Sequence, residues 1–116
     1  MSQISNQTDN NFISKEALII VITTESNLLN AEKLADKILH GKYAACVQFN
    51  NVKSSFWWNG AIENAEEIQL LIKTKNNKLE DLISTIKDFH SYENPEIVFW
   101  EASASELYLN WLKEAI

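Results

Sequence analysis

Apolar and polar positions change their period several times along the chain, and each change marks an element. Residues 17–24, "ALIIVITT", form a continuous apolar run rich in β-branched side chains. It is too short for a helix and predicts a central strand. From Asn27 the spacing becomes three and four: Leu28, Ala31, Leu34, Ala35, Ile38 and Leu39 share one helical face, and Gly41 stands where a left-handed C-terminal cap belongs. "KYAACVQFNNVKSSFWW" is extended, with Asn50-Asn51 predicting a bend or bulge in one long strand or a short break between two. Asn59-Gly60 suits a type I′ hairpin turn, and the returning strand, 61–74, alternates Ile68, Leu70 and Ile72 against Gln69, Leu71 and Lys73.

Beyond the hairpin, Asn77 and Glu80 predict a capping box for a helix with the stripe Leu79, Leu82, Ile83, Ile86 and Phe89. Pro95 in "HSYENPE" ends it. "IVFWEA" predicts a strand, and Ser103 with Glu106 opens a last helix whose Tyr108, Trp111, Leu112 and Ala115 can face the body. The polar start, residues 1–15, reads as a disordered arm, leaving 16–116 as one domain.

The order β-α-β-β-α-β-α implies an α+β fold, a ferredoxin-like split βαβ sandwich with a long β-hairpin and an extra C-terminal helix. Right-handed crossovers put both crossover helices on one face of the sheet. The other face is then expected to lack cover within the chain, although the first strand is apolar on both sides and the adjacent Trp57 and Trp58 must point opposite ways. A buried indole removes roughly 150–250 Å² from water, worth several kcal/mol at ~25 cal/mol per Å². A second copy of the chain is the expected cover.

Composition narrows the functional classes. Ten lysines, no arginine and sixteen acidic residues give a net charge of -6, which opposes binding to nucleic acid or to anionic membranes. The lack of arginine also argues against phosphoryl or acyl-phosphate chemistry, including an acylphosphatase-like hydrolase on this fold. Cys46 is the only cysteine, the start lacks the basic and apolar segments of a secretory signal, and no apolar run approaches a membrane span. The expected location is cytoplasmic.

The segments "KYAACV", "SSFWWNGAIENAEEIQLLIKT", "SYENPEI" and "YLNWL", in this order over about residues 17–114, resemble the CutA family of divalent-cation tolerance proteins. The resemblance implies a ferredoxin-like homotrimer whose long hairpins pair with neighbouring subunits, as in signalling proteins of the PII type. It also implies a non-enzymatic role in the response to metal ions, with copper(II) or another divalent cation bound at subunit clefts and no organic cofactor. Animal relatives are associated with anchoring acetylcholinesterase. This chain has Thr23 where some bacterial relatives have cysteine, and Phe89-His90 where they have two histidines. Imidazole and thiolate are the donors copper favours, so the departures remove one of each.

Among single residues, His90 with Glu96 is the candidate metal pair, against a histidine that meets the helix C-terminal carbonyls. His40 has the same two readings. Cys46 fits a small buried hydrophobe better than a nucleophile. Glu63, Glu66 and Glu67 read as a solvated edge near the hairpin tip, and Lys73 as an anion ligand or an ion-pair partner across subunits. The resemblance implies that Trp57, Tyr92, Glu96 and Lys73 approach one another in the trimer clefts, with Trp57 and Trp58 at the interface. Alternatives are a PII-like trimeric sensor binding a small metabolite in the inter-subunit cleft, or a structural scaffold.

Overall fold

The computed structural model describes residues 12–116. Its strands are β1 (Leu18–Glu25), β2 (Cys46–Trp58), β3 (Ala61–Thr74) and β4 (Val98–Ala102). Its helices are α1 (Leu28–His40), α2 (Leu79–Phe89) and α3 (Glu106–Ala115). The strands form one antiparallel sheet in the order β2-β3-β1-β4, which is the split βαβ arrangement.

Register assigns each side chain to a face. Ile19, Val21 and Thr23 lie opposite Thr74, Ile72 and Leu70. This first face is sealed by Ala31, Leu34, Ala35 and Ile38 of α1 and by Leu82 and Ile86 of α2. Thr23 Oγ1 is enclosed there with no hydrogen-bond partner among the described residues. The second face was expected to have no cover within the chain, but α3 crosses part of it. Leu109 and Leu112 close over Leu18 and meet Ile20, Ala45 and Ala102. Trp111, expected to face the body, instead stands about half exposed.

Several local expectations are corrected. β2 runs through Asn50 and Asn51 without a bulge, these residues pairing one-to-one with Gln69 and Ile68. The hairpin turn is as expected, Asn59 and Gly60 both having positive φ (49° and 79°). After α1 it is Lys42, at φ 58°, that turns left-handed, while Gly41 stays helical at φ -79°. Tyr43 N–H donates to Ile38 O and Lys42 N–H to Leu39 O, closing a Schellman motif one residue later than expected. A Cβ at 41 would run into the Tyr43 ring, so the present place of that ring depends on glycine there.

Asn77 forms no capping box. Residues Asn76–Lys78 make a short 3-10 turn before α2, whose cap lacks a side-chain bond. α3 is capped by Ser105, not Ser103. The end of the expected disordered arm is held: Ile13 bridges Ser105, and Ser14 N–H donates to Ala104 O at 3.0 Å. Residues 1–11 of that arm lie outside the described residues.

β1 pairs with β3 only over residues 68–74, so 52–58 and 61–67 project as a two-stranded ribbon. The extents are 57 × 30 × 21 Å and the radius of gyration is 17.0 Å. A compact chain of this length would give about 13 Å. Along the ribbon Trp57 faces the helix side opposite Ile62, while Trp58 lies on the second face opposite Ala61. Their exposures are 73% and 61%.

Candidate functional site

The end of β1 leads from an apolar strand into a buried polar cluster. Glu25 and His90 have side-chain exposures of 1% and 0%. A carboxylate this deep must be met by donors. Glu25 receives Ser26 N–H at 3.1 Å, Ser91 N–H at 2.9 Å and the Ser91 hydroxyl. His90 Nδ1 lies 3.5 Å from Glu25 Oε2, beyond a good hydrogen bond, and instead accepts Tyr92 N–H at 2.9 Å. Its other nitrogen, Nε2, reaches Thr24 O at 2.7 Å. The ring is thereby held in the tautomer with its proton on Nε2.

This network pins the segment after α2 against β1, and Tyr92 extends it outward. Its ring tilts against His90 at a centroid distance of 4.9 Å, and its hydroxyl donates to Glu67 Oε2 at 2.7 Å. Burial alone would raise the Glu67 pKa, but hydrogen bonds from Ser54, Tyr92 and Thr24 outweigh it and leave the carboxyl below its usual range. Burial first, then the bond to Glu67 and the negative charges of Glu67 and Glu25, push the Tyr92 phenol well above its usual value.

Outside this cluster lies an open cleft of ≈ 920 Å³ between the ribbon and residues 92–96. Phe56, Trp58 and Tyr92 supply rings, and Glu67, Glu93 and Glu96 supply carboxylates. Period-two alternation puts Phe56 and Trp58 on the same side of the ribbon as Glu67, which pairs with Val52.

The expected site residues are divided between places. Tyr92, Glu96 and Trp58 meet at the cleft. His90 is sealed behind Tyr92, with both ring nitrogens engaged inside the chain, and does not line the cleft beside Glu96. Its ring turns to β1; only its backbone N–H serves the helix end, donating to Ile86 O at 2.9 Å. Trp57 points to the opposite side of the ribbon. Lys73 lies toward α3, 3.4 Å from the Tyr108 hydroxyl and 5.2 Å from the centre of its ring. His40 Nδ1 meets Asp36 O at 2.7 Å, the helix-end role. Among the described residues, no three His, Cys, Asp or Glu side chains gather closely enough to hold a metal ion.

Sequence reasoning missed Glu25, Phe56 and the anchoring of Glu67. Parity with Trp58 was a readable signal for Phe56 and for Glu67. An acidic residue ending an apolar strand was the signal for Glu25.

Residues 19–115 match the family model for the CutA1 divalent ion tolerance protein. The chain belongs to the CutA family. It is 36% identical over 98 residues to the divalent-cation tolerance protein CutA of Archaeoglobus fulgidus, covering 83% of this chain and 95% of that one. The structure of CutA from Synechococcus elongatus PCC7942 superposes with a TM-score of 0.86 at 28% identity, covering 92% of this chain and 97% of the other. The Archaeoglobus fulgidus structure, described as a periplasmic divalent cation tolerance protein CutA, gives 0.82 at 33% identity over 84% and 97%. CutA membership extends across sheet, ribbon and all three helices, so the ribbon and cleft lie within the family fold. Among the described residues, no helix is long and apolar enough to cross a membrane.

Proposed function

We propose that the protein acts as a non-enzymatic homotrimeric divalent-cation tolerance protein, with its copies joined along the ribbon and the uncovered part of the second face. The observation that carries this reading is the ribbon itself. Two strands with Phe56, Trp57, Trp58 and Ile62 exposed are too thin to hide both sides from water. Sister copies supply that cover, and the cleft beside Trp58 then lies along their seams. Divalent metal, copper(II) included, binds weakly there through carboxylates such as Glu96, with donors from more than one copy.

His90 would have to release the Tyr92 amide or the Thr24 carbonyl before it could ligate, so it acts first as an anchor for the loop. A single, half-buried cysteine supports placement in the reducing cytoplasm.

Sedimentation at low micromolar concentration, paired with copper(II) titration calorimetry, tests both clauses. The expected results are three-chain particles and weak binding that Glu96→Gln reduces and His90→Asn does not abolish. A stable single chain overturns the assembly. Absence of heat with copper(II) or zinc(II) at millimolar concentration removes the metal clause.

A further inference from the structure

Proton placement in the Glu25–His90 cluster leaves the ring between two sets of partners. The His90 ring is fully enclosed and keeps its proton on Nε2, which donates to Thr24 O at 2.7 Å. Nδ1 is therefore an acceptor, and it takes the Tyr92 N–H at 2.9 Å. Glu25 Oε2 stands 3.5 Å from the same nitrogen, too far for a good hydrogen bond. That oxygen has capacity left. Oε1 accepts both Ser26 N–H and the Ser91 hydroxyl, whereas among the described residues Oε2 accepts only Ser91 N–H. A carboxylate oxygen can take a second donor.

A second proton on the ring reverses this arrangement. Once Nδ1 carries hydrogen it can no longer accept, and its own N–H and that of Tyr92 point at each other. A shift of roughly half an ångström brings Nδ1–H within reach of Oε2 instead. The charged groups around the ring favour that exchange. Glu25 faces it from β1, and Glu67 lies on β3 beyond the Tyr92 phenol, close enough that charge on His90 lowers its pKa. The C-terminal end of α2, which His90 caps, adds the partial negative charge of its carbonyls. Burial of the ring opposes the exchange. The Tyr92 phenol, its pKa pushed well above the usual value, stays neutral. The consequence for Tyr92 is partial: its amide loses an acceptor, while its hydroxyl keeps the 2.7 Å bond to Glu67. Ser91 remains tied to Glu25 through its N–H, so the released segment starts at Tyr92 and includes Glu93 and Glu96.

We infer that His90 is an acid-released latch: protonation of Nδ1 transfers the ring from the Tyr92 amide to Glu25 and frees residues 92–96 from β1, leaving the Tyr92 hydroxyl as their tether to the ribbon. A sealed histidine thereby governs where the loop holds its carboxylates. The inference rests on hydrogen bonds within one chain and is separate from the proposals for assembly and metal.

The test is nuclear magnetic resonance on the full chain in metal-free buffer, with isotope-labelled backbone and histidine rings, from about pH 8 to about pH 5. His90 and His40 are told apart by opposite tautomers, because His40 Nδ1 donates to Asp36 O at 2.7 Å. As Nδ1 of His90 takes up its proton, the Tyr92 amide is expected to shift with the same midpoint. Its exchange with solvent should then run about tenfold faster than the intrinsic pH dependence allows, the size of one lost amide bond. The amides of buried Leu70 and Ile72 should keep their protection, which shows that the fold is intact. Glu25→Gln should move the midpoint to lower pH by about one unit, because the ring loses its counter-charge. His90→Gln should remove the transition at Tyr92 altogether. A protonated His90 with the Tyr92 amide unmoved overturns the inference. So does a ring that keeps its neutral tautomer across the whole range, or a Tyr92 transition that survives His90→Gln. The wild-type spectra decide alone where a variant fails to fold.

Discussion

In the body of the sheet, Val21, Leu70 and Ile72 follow a two-residue period and meet Leu34, Ile38, Leu82 and Ile86 from two helices. Along the ribbon, Phe56 and Trp58 share one face, Trp57 and Ile62 share the other, and all four stand exposed. Apolar side chains on paired strands therefore meet opposite outcomes, because the helices reach only the body. The comparison teaches that stability and association are separable here. The body carries the buried core, and the ribbon carries an exposed apolar surface that the proposed assembly would bury.

The sharpest way to break that comparison is to damage the body. Leu82 is fully buried between α2 and the first face, so Leu82→Ala should cost about 3 kcal/mol, through lost transfer energy and the cavity left behind. Urea unfolding should show a lower midpoint with little change in the particle size of the folded protein. A loss below about 1 kcal/mol would mean that the first-face core does not dominate folding.

A ribbon substitution should do the reverse. Trp57 is 73% exposed in the single chain, so Trp57→Ala removes little from the monomer itself. Central aromatic anchors at interfaces commonly contribute about 2 kcal/mol or more, so the dissociation constant should rise about thirtyfold. Sedimentation across a dilution series measures it, with circular dichroism to confirm an unchanged fold. An unaltered dissociation constant would exclude Trp57 from the interface.

Much of this division was legible in the sequence. The apolar run at Leu18–Ile22, the helical stripe at Ala31–Ile38 and Asn59-Gly60 give period, face and turn directly, because each depends on neighbours within a few residues. Details set by distant contacts were not legible. Gly41 resembled a left-handed cap, yet its absent side chain serves the Tyr43 ring, and Lys42 takes the strained position. The Asn50-Asn51 pair looked like a break because asparagine favours turns, but pairing with β3 overrides that tendency. His90 and Glu96 are six positions apart in sequence but belong to different environments. Only the fold shows that Thr24 O and Tyr92 N–H hold the imidazole inside.

The smallest effect lies where body and ribbon meet. Tyr92 connects them, with its amide bound to the buried histidine and its hydroxyl bound to Glu67 on the ribbon strand β3. Tyr92→Phe should cost about 1 kcal/mol at neutral pH, a hydrogen bond to a charged group discounted for its partial contact with water. The pH dependence identifies its origin. Glu67 has a folded pKa below its unfolded value, so its contribution is present above the unfolded value and is lost as pH falls through the folded one. Tyr92 has a folded pKa above its unfolded value, so its contribution is full below the unfolded value, about 10, and is lost as pH rises beyond it. The stability gap between wild type and Tyr92→Phe should therefore be widest near neutrality and narrow on both sides, below about pH 4 and above about pH 10. Thermal melts across that range measure it. A gap that stays constant would mean that the phenol contributes by packing alone, and that the ribbon is fixed to the body without the Glu67 carboxylate.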